Sequence, residues 1–118
     1  MPGPVALDER NFDYFLATHD GILVVDFWAR WCRPCKAMAP LVARVAAERP
    51  ELLVAKVDVD RARRLAARHG VSAVPTLMRF DDGRPTASVV GALPYDRLLA
   101  ELGLHGGSDP VRLGPRAA

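Results

Sequence analysis

The chain of 118 residues has only two cysteines, Cys32 and Cys35, so no framework of disulfides holds it together. Its three histidines, His19, His69 and His105, are scattered, and a structural zinc site needs about four convergent ligands, so no zinc site is expected. The formal net charge is +2, too small to argue for nucleic acid, and the arginines are interspersed with carboxylates as on a solvated face. No apolar run approaches the ~20 residues that cross a membrane. The opening Met1-Pro2-Gly3-Pro4 is neither basic nor followed by an apolar core. The expectation is therefore no signal peptide and a cytoplasmic protein. In that compartment a close cysteine pair is more often catalytic or metal-binding than structural. What remains is one domain by length, half of it hydrophobic, enough for a core without staples.

The apolar pattern alternates between strands and helices. Phe12, Phe15 and Leu16 make a helical stripe with Asp8 as its expected N-cap. Asp20-Gly21 is a turn, and residues 22–29 read as a strand buried on both faces, central in a sheet. Met38, Leu41, Val42 and Val45 give a second helix its buried stripe, bounded by Pro50. Residues 52–57 are another buried strand. Asp60 is expected to cap a short helix containing Leu65 and Ala66 and closed by Gly70. Residues 77–80 and 87–90 form a hairpin through Asp81-Asp82-Gly83, and Pro94 opens a last helix with Leu98, Leu99 and Leu102. This order predicts an α/β fold, a mixed sheet covered on both faces. Residues 106–118, with Gly106-Gly107-Ser108-Asp109-Pro110, are expected to be a flexible tail behind a domain over 1–105.

Trp31-Cys32-Arg33-Pro34-Cys35 joins the central strand to the second helix. The spacing makes the two thiols neighbours on one helix face, close enough to bridge. A helix N-terminus offers unpaired N–H groups and partial positive charge, which favour thiolate over thiol. Such a strand-to-helix element exchanges disulfides: Cys32 attacks, and Cys35, one turn in, resolves the mixed disulfide. Cys32 is expected to be the more exposed thiol. A purely stabilising disulfide is the weaker alternative, because so small a loop removes little chain entropy. Pro34 fixes the backbone where no N–H is needed. Asp26 lies in the most apolar strand, so burial should raise its pKa, with Lys56 on the neighbouring strand partly compensating.

Residues 25–36, Val-Asp-Phe-Trp-Ala-Arg-Trp-Cys-Arg-Pro-Cys-Lys, resemble the active-site segment of the thioredoxin family, with Arg33 where the family usually has glycine. The resemblance continues through Pro40, residues 56–60, Val74-Pro75-Thr76-Leu77, Asp82-Gly83 and Val90-Gly91-Ala92-Leu93, over about residues 7 to 103. It implies a thioredoxin fold, including a short first strand within residues 4–7. It also implies that Asp26 is the buried acid that takes the proton of Cys35, that Pro75 follows a cis bond facing the disulfide, and that the Val74 backbone pairs with an extended client. Gly91 and Ala92 would complete an apolar docking rim, with Trp31 and Arg33 facing the client. No cofactor beyond the Cys32–Cys35 redox pair is implied.

Three readings follow. The first is a general protein-disulfide reductase acting on disulfide-bearing client proteins as a monomer and recycled by thioredoxin reductase. The second is a specialised relative with a more oxidising poise, suggested by Arg33. The third is a thioredoxin-fold binding or chaperone module whose thiols are incidental. Asp26, Pro34 and Pro75 beside both cysteines weigh against the third.

Overall fold

The structure, a computed structural model, describes residues 3–104, so the expected tail over 106–118 and His105 lie outside the described residues. The first strand, β1 (Val5–Leu7), leads to α1 (Phe12–Thr18) and β2 (Ile22–Trp28). After them come α2 (Arg33–Glu48), β3 (Leu53–Asp58), α3 (Arg63–Arg68), β4 (Thr76–Asp81), β5 (Arg84–Val90) and α4 (Tyr95–Glu101). The five strands form one sheet in the order β1-β3-β2-β4-β5. β3 pairs parallel with β1 and β2, whereas β4 pairs antiparallel with β2 and β5. This is the thioredoxin fold, and β2 holds its centre as the apolar run requires.

Alternation along β2 divides the core. Leu23, Val25 and Phe27 join Phe12, Leu65 and Phe80 on the α1/α3 face. Val24 joins Met38, Val42, Val45 and Leu98 under α2 and α4. By the same alternation Asp26 and Trp28 share the face of Val24, the one that α2 covers. On β3, Val54 belongs to that second cluster, so Lys56 is placed on the same face. The β4–β5 hairpin closes through Asp82 and Gly83, with φ of 50° and 86°, between the paired Asp81 and Arg84. Two consecutive left-handed residues make this an Asp-Gly hairpin turn.

Two expected caps are replaced. Asn11, not Asp8, precedes α1, and the Asp8 carboxylate instead accepts the Arg10 N–H (2.9 Å). Asp60 does not cap α3. Glu9 Oε2, from the segment between β1 and α1, accepts the N–H groups of Arg64 (2.7 Å) and Leu65 (3.2 Å). A carboxylate 55 residues away in sequence thus serves the orphan donors of that helix end. Among the described residues no helix is long and apolar enough to cross a membrane.

Candidate active site

Where β2 ends, residues 29–32 turn, with the Cys32 N–H donating to Ala29 O (3.2 Å), and α2 begins. Cys32 is the N-cap of α2, in an extended conformation (φ −90°, ψ 110°), and its sulfur accepts the Cys35 N–H at 3.1 Å. Pro34 sits in the first turn, where a missing N–H leaves no bond unmade. Cys32 and Cys35 are joined as a disulfide with Cα atoms 5.2 Å apart. The expectation that Cys32 is the more exposed thiol fails, since both residues are only 3 % exposed. Trp28, Ala29, Val59 and Val74 pack around the pair as a small core of their own. What distinguishes the sulfurs is that the Cys32 sulfur accepts a helix-start N–H, a contact that favours negative charge on it.

Asp26 is 1 % exposed and neither of its oxygens has a hydrogen-bond partner among the described residues. Burial pushes its carboxyl up to about 6 from an ordinary 3.8, and the charge of Lys56 pulls the other way. Lys56 stands opposite Asp26 in the β2–β3 register. Its ammonium lies 4.8 Å from the centre of the Trp28 ring, a cation–π contact that holds the amine on this face of the sheet.

Trp31 is 69 % exposed. Its indole N–H donates to Asp60 Oδ2 at 2.9 Å, which fixes the ring as one wall of a 140 Å³ pocket with Val59, Val71 and Val74. Local sequence missed Asp60 in this place because an aspartate just before a short helical stretch reads as a cap. The only signal available was the run of residues 56–60 shared with the family.

The Val74–Pro75 peptide bond is cis. The Gly91 N–H donates to Pro75 O at 2.9 Å, tying the end of β5 to this loop. Gly91 has φ of 98°, so a side chain there would be strained whatever the surrounding space. Ala92 is exposed, and Val90 beside it is 62 % exposed. Arg33 is exposed on the first turn of α2 and forms no ion pair among the described residues. The fold thus brings Trp28, Cys32, Cys35 and Val74 into one cluster and sets Asp26 and Lys56 in register on the face that α2 covers. It ties Gly91 to Pro75 and leaves Trp31, Arg33 and Ala92 exposed. No group of three or more potential metal ligands is found among the described residues.

The family model described as Thioredoxin matches residues 3–103. The thioredoxin of Chlamydia pneumoniae is 40 % identical over 85 residues, covering 72 % of this chain and 81 % of that protein. The thioredoxin of Pseudomonas aeruginosa is 38 % identical over 99 residues, covering 83 % of this chain and 92 % of that protein. Thioredoxin C-3 of Corynebacterium nephridii is 40 % identical over 90 residues, 76 % of this chain, and the match spans 62 % of that longer protein. The solved structure of a mutant thioredoxin from Halobacterium salinarum superposes with a TM-score of 0.76 at 32 % identity, covering 85 % of this chain and 91 % of that chain.

Proposed function

The chain belongs to the thioredoxin family of thiol–disulfide oxidoreductases, and from that premise we propose that it works as a protein-disulfide reductase with Cys32 as the attacking sulfur. The observation that carries this reading is the Cys35 N–H pointing at the Cys32 sulfur from the first turn of α2. That donor and the helix dipole stabilise negative charge on Cys32 when the pair is reduced.

In the reaction the Cys32 thiolate attacks one sulfur of a client disulfide. A mixed disulfide forms and the other client sulfur leaves as a thiolate. Cys35 loses its proton and attacks Cys32. The Cys32–Cys35 disulfide forms, the second client sulfur departs, and two electrons have passed to the client. Asp26 is the group assigned to receive the Cys35 proton, directly or through water. A carboxyl held near 6 is poised to change protonation state close to neutral pH, as a base for this step must. Lys56 limits the penalty of charging Asp26. Pro34 fixes the turn between the sulfurs. The cis Val74–Pro75 segment, Gly91 and Ala92 form the proposed seat of an extended client beside Trp31 and Arg33. Return of the pair to the dithiol is assigned to a thioredoxin reductase. The compartment that suits this direction of electron flow is the cytoplasm.

Arg33 supports a second reading, a more oxidising poise, because a cation beside Cys32 stabilises the reduced state. An exposed, screened charge moves the potential by only on the order of 10–20 mV, too little to turn a reductase into an oxidase. Insulin reduction driven by dithiothreitol tests the proposal. The intact protein accelerates precipitation of the insulin B chain, and the Cys32→Ser, Cys35→Ser double variant does not. Equal rates with and without the protein would leave only a binding module.

A further inference from the structure

Among the described residues, six arginines form ion pairs with carboxylates: Arg10, Arg44, Arg49, Arg68, Arg79 and Arg97. None belongs to the segment that carries the cysteines. Arg30, Arg33 and Lys36, which do belong to it, are all exposed and have no ion-pair partner among the described residues. Arg61, Arg63, Arg64 and Arg84 are also without one, but only Arg61 shares a cleft with this segment.

That cleft, about 350 Å³, lies beside the cysteine turn and is lined by Trp28, Arg30, Lys56, Asp58 and Arg61 against residues of β1. Its own carboxylates are engaged elsewhere. Asp58 Oδ1 accepts the Asp60 N–H (3.0 Å), and Asp8 accepts the Arg10 N–H and pairs with the Arg10 guanidinium. Lys56 rests over Trp28. Asp60 is held by the Trp31 indole. The backbone and indole N–H groups accepted by Asp58 and Asp60 satisfy these carboxylates without cancelling their charge, but Arg30, Arg33, Lys36 and Arg61 together outnumber them, so positive charge beside the disulfide stays in excess.

We propose that Arg30, Arg33, Lys36 and Arg61 form a specificity rim for carboxylates. They would select client proteins whose exchanging disulfide is flanked by acidic residues, with Arg33 and Lys36 engaging them at the start of α2 and Arg30 and Arg61 at the cleft. This rests on the disulfide-exchange activity and adds the class of client. The physics is charge complementarity. Opposite charge at the rim raises the encounter rate and fixes the register of the complex, and arginine forks suit carboxylates. Screening weakens both effects, so the preference belongs to low and moderate ionic strength.

Two disulfide-bonded peptides of equal length test it, one with glutamates flanking the disulfide and one with glutamines. The full chain is expected to reduce the glutamate peptide with a kcat/KM on the order of tenfold higher at low salt. The ratio should shrink toward one as salt screens the charges. An Arg30→Gln, Arg61→Gln variant lowers the ratio several-fold, and adding Arg33→Gln lowers it further. The ratio is the readout because a general defect slows both peptides alike. A wild-type ratio near one at low salt, or a ratio the substitutions leave unchanged, overturns the rim while leaving the disulfide exchange standing. Failure of the wild-type protein to reduce either peptide would overturn the reductase reading itself.

Discussion

Asp26 and Lys56 stand opposite one another across β2 and β3, yet neither Asp26 oxygen has a hydrogen-bond partner among the described residues. The carboxyl is therefore raised to about 6 by burial despite the nearby amine. Stability and chemistry pull apart at this position. An asparagine would fold more comfortably there, and a carboxylate can take a proton.

The pH dependence of stability follows. A carboxyl whose pKa is higher folded than unfolded binds its proton more tightly in the folded state. Below the unfolded value of 3.8 Asp26 carries no penalty. The folded state loses stability as pH rises from about 4 through about 6, and above that the full cost remains. A shift of about two units corresponds to on the order of 3 kcal/mol. Asp26→Asn should remove this term and stabilise the oxidised protein at pH 7 to 8, with little difference from wild type at pH 4. Urea midpoints of both proteins across that range provide the check, and parallel curves would show that Asp26 titrates as an ordinary solvated acid.

The same substitution should slow release of the client from the mixed disulfide near neutral pH, because the proposed proton acceptor for Cys35 is gone. Stopped-flow reduction of a fluorescent disulfide substrate should show a slower second phase with the first phase preserved. If the first phase slows instead, Asp26 acts on Cys32.

The roles of the two sulfurs separate in single variants. Cys32→Ser is expected to abolish turnover. Cys35→Ser should accumulate clients bound to Cys32, since the only intramolecular resolving thiol has been removed. Mass spectrometry of the trapped species settles the assignment, which is reversed if Cys32→Ser accumulates adducts on Cys35.

Arg33→Gly takes away the cation next to Cys32. The Cys32 pKa should rise, and the potential should move toward more reducing by on the order of 10–20 mV at low salt. Thiolate absorbance against pH and equilibration with glutathione buffers read the two quantities. A lower pKa in the glycine variant would mean that Arg33 acts through something other than its charge.

Glu9→Ala should cost about 1 kcal/mol through the two N–H groups at the start of α3 that it leaves unserved. Asp60→Ala should leave that helix end intact and act on Trp31, altering its fluorescence. Thermal melts and Trp31 emission distinguish the two. Equal losses of stability with unchanged emission would restore the local cap that the sequence suggests.

Local chemistry is what the sequence by itself determined. The central strand, the sulfurs at the helix start, the raised Asp26 and the Asp82-Gly83 turn depend on covalent neighbours and on a run of apolar residues, so they are legible in one dimension. The mixed sheet follows from the order of elements. Tertiary structure decided the pairings between distant groups. Asp60 reads as a cap until the Trp31 indole, 29 residues away, claims it. His69 precedes only the Gly70 that closes a helix in the sequence, whereas in the fold its ring packs 5.3 Å from Phe12 and 5.6 Å from Phe80, measured between ring centres. Equal burial of the two cysteines likewise involves Val59 and Val74, which come from the segments after β3 and before β4. A side chain has few local partners but many tertiary ones, and which of these it meets is fixed only when the sheet closes its register and the helices dock on its two faces.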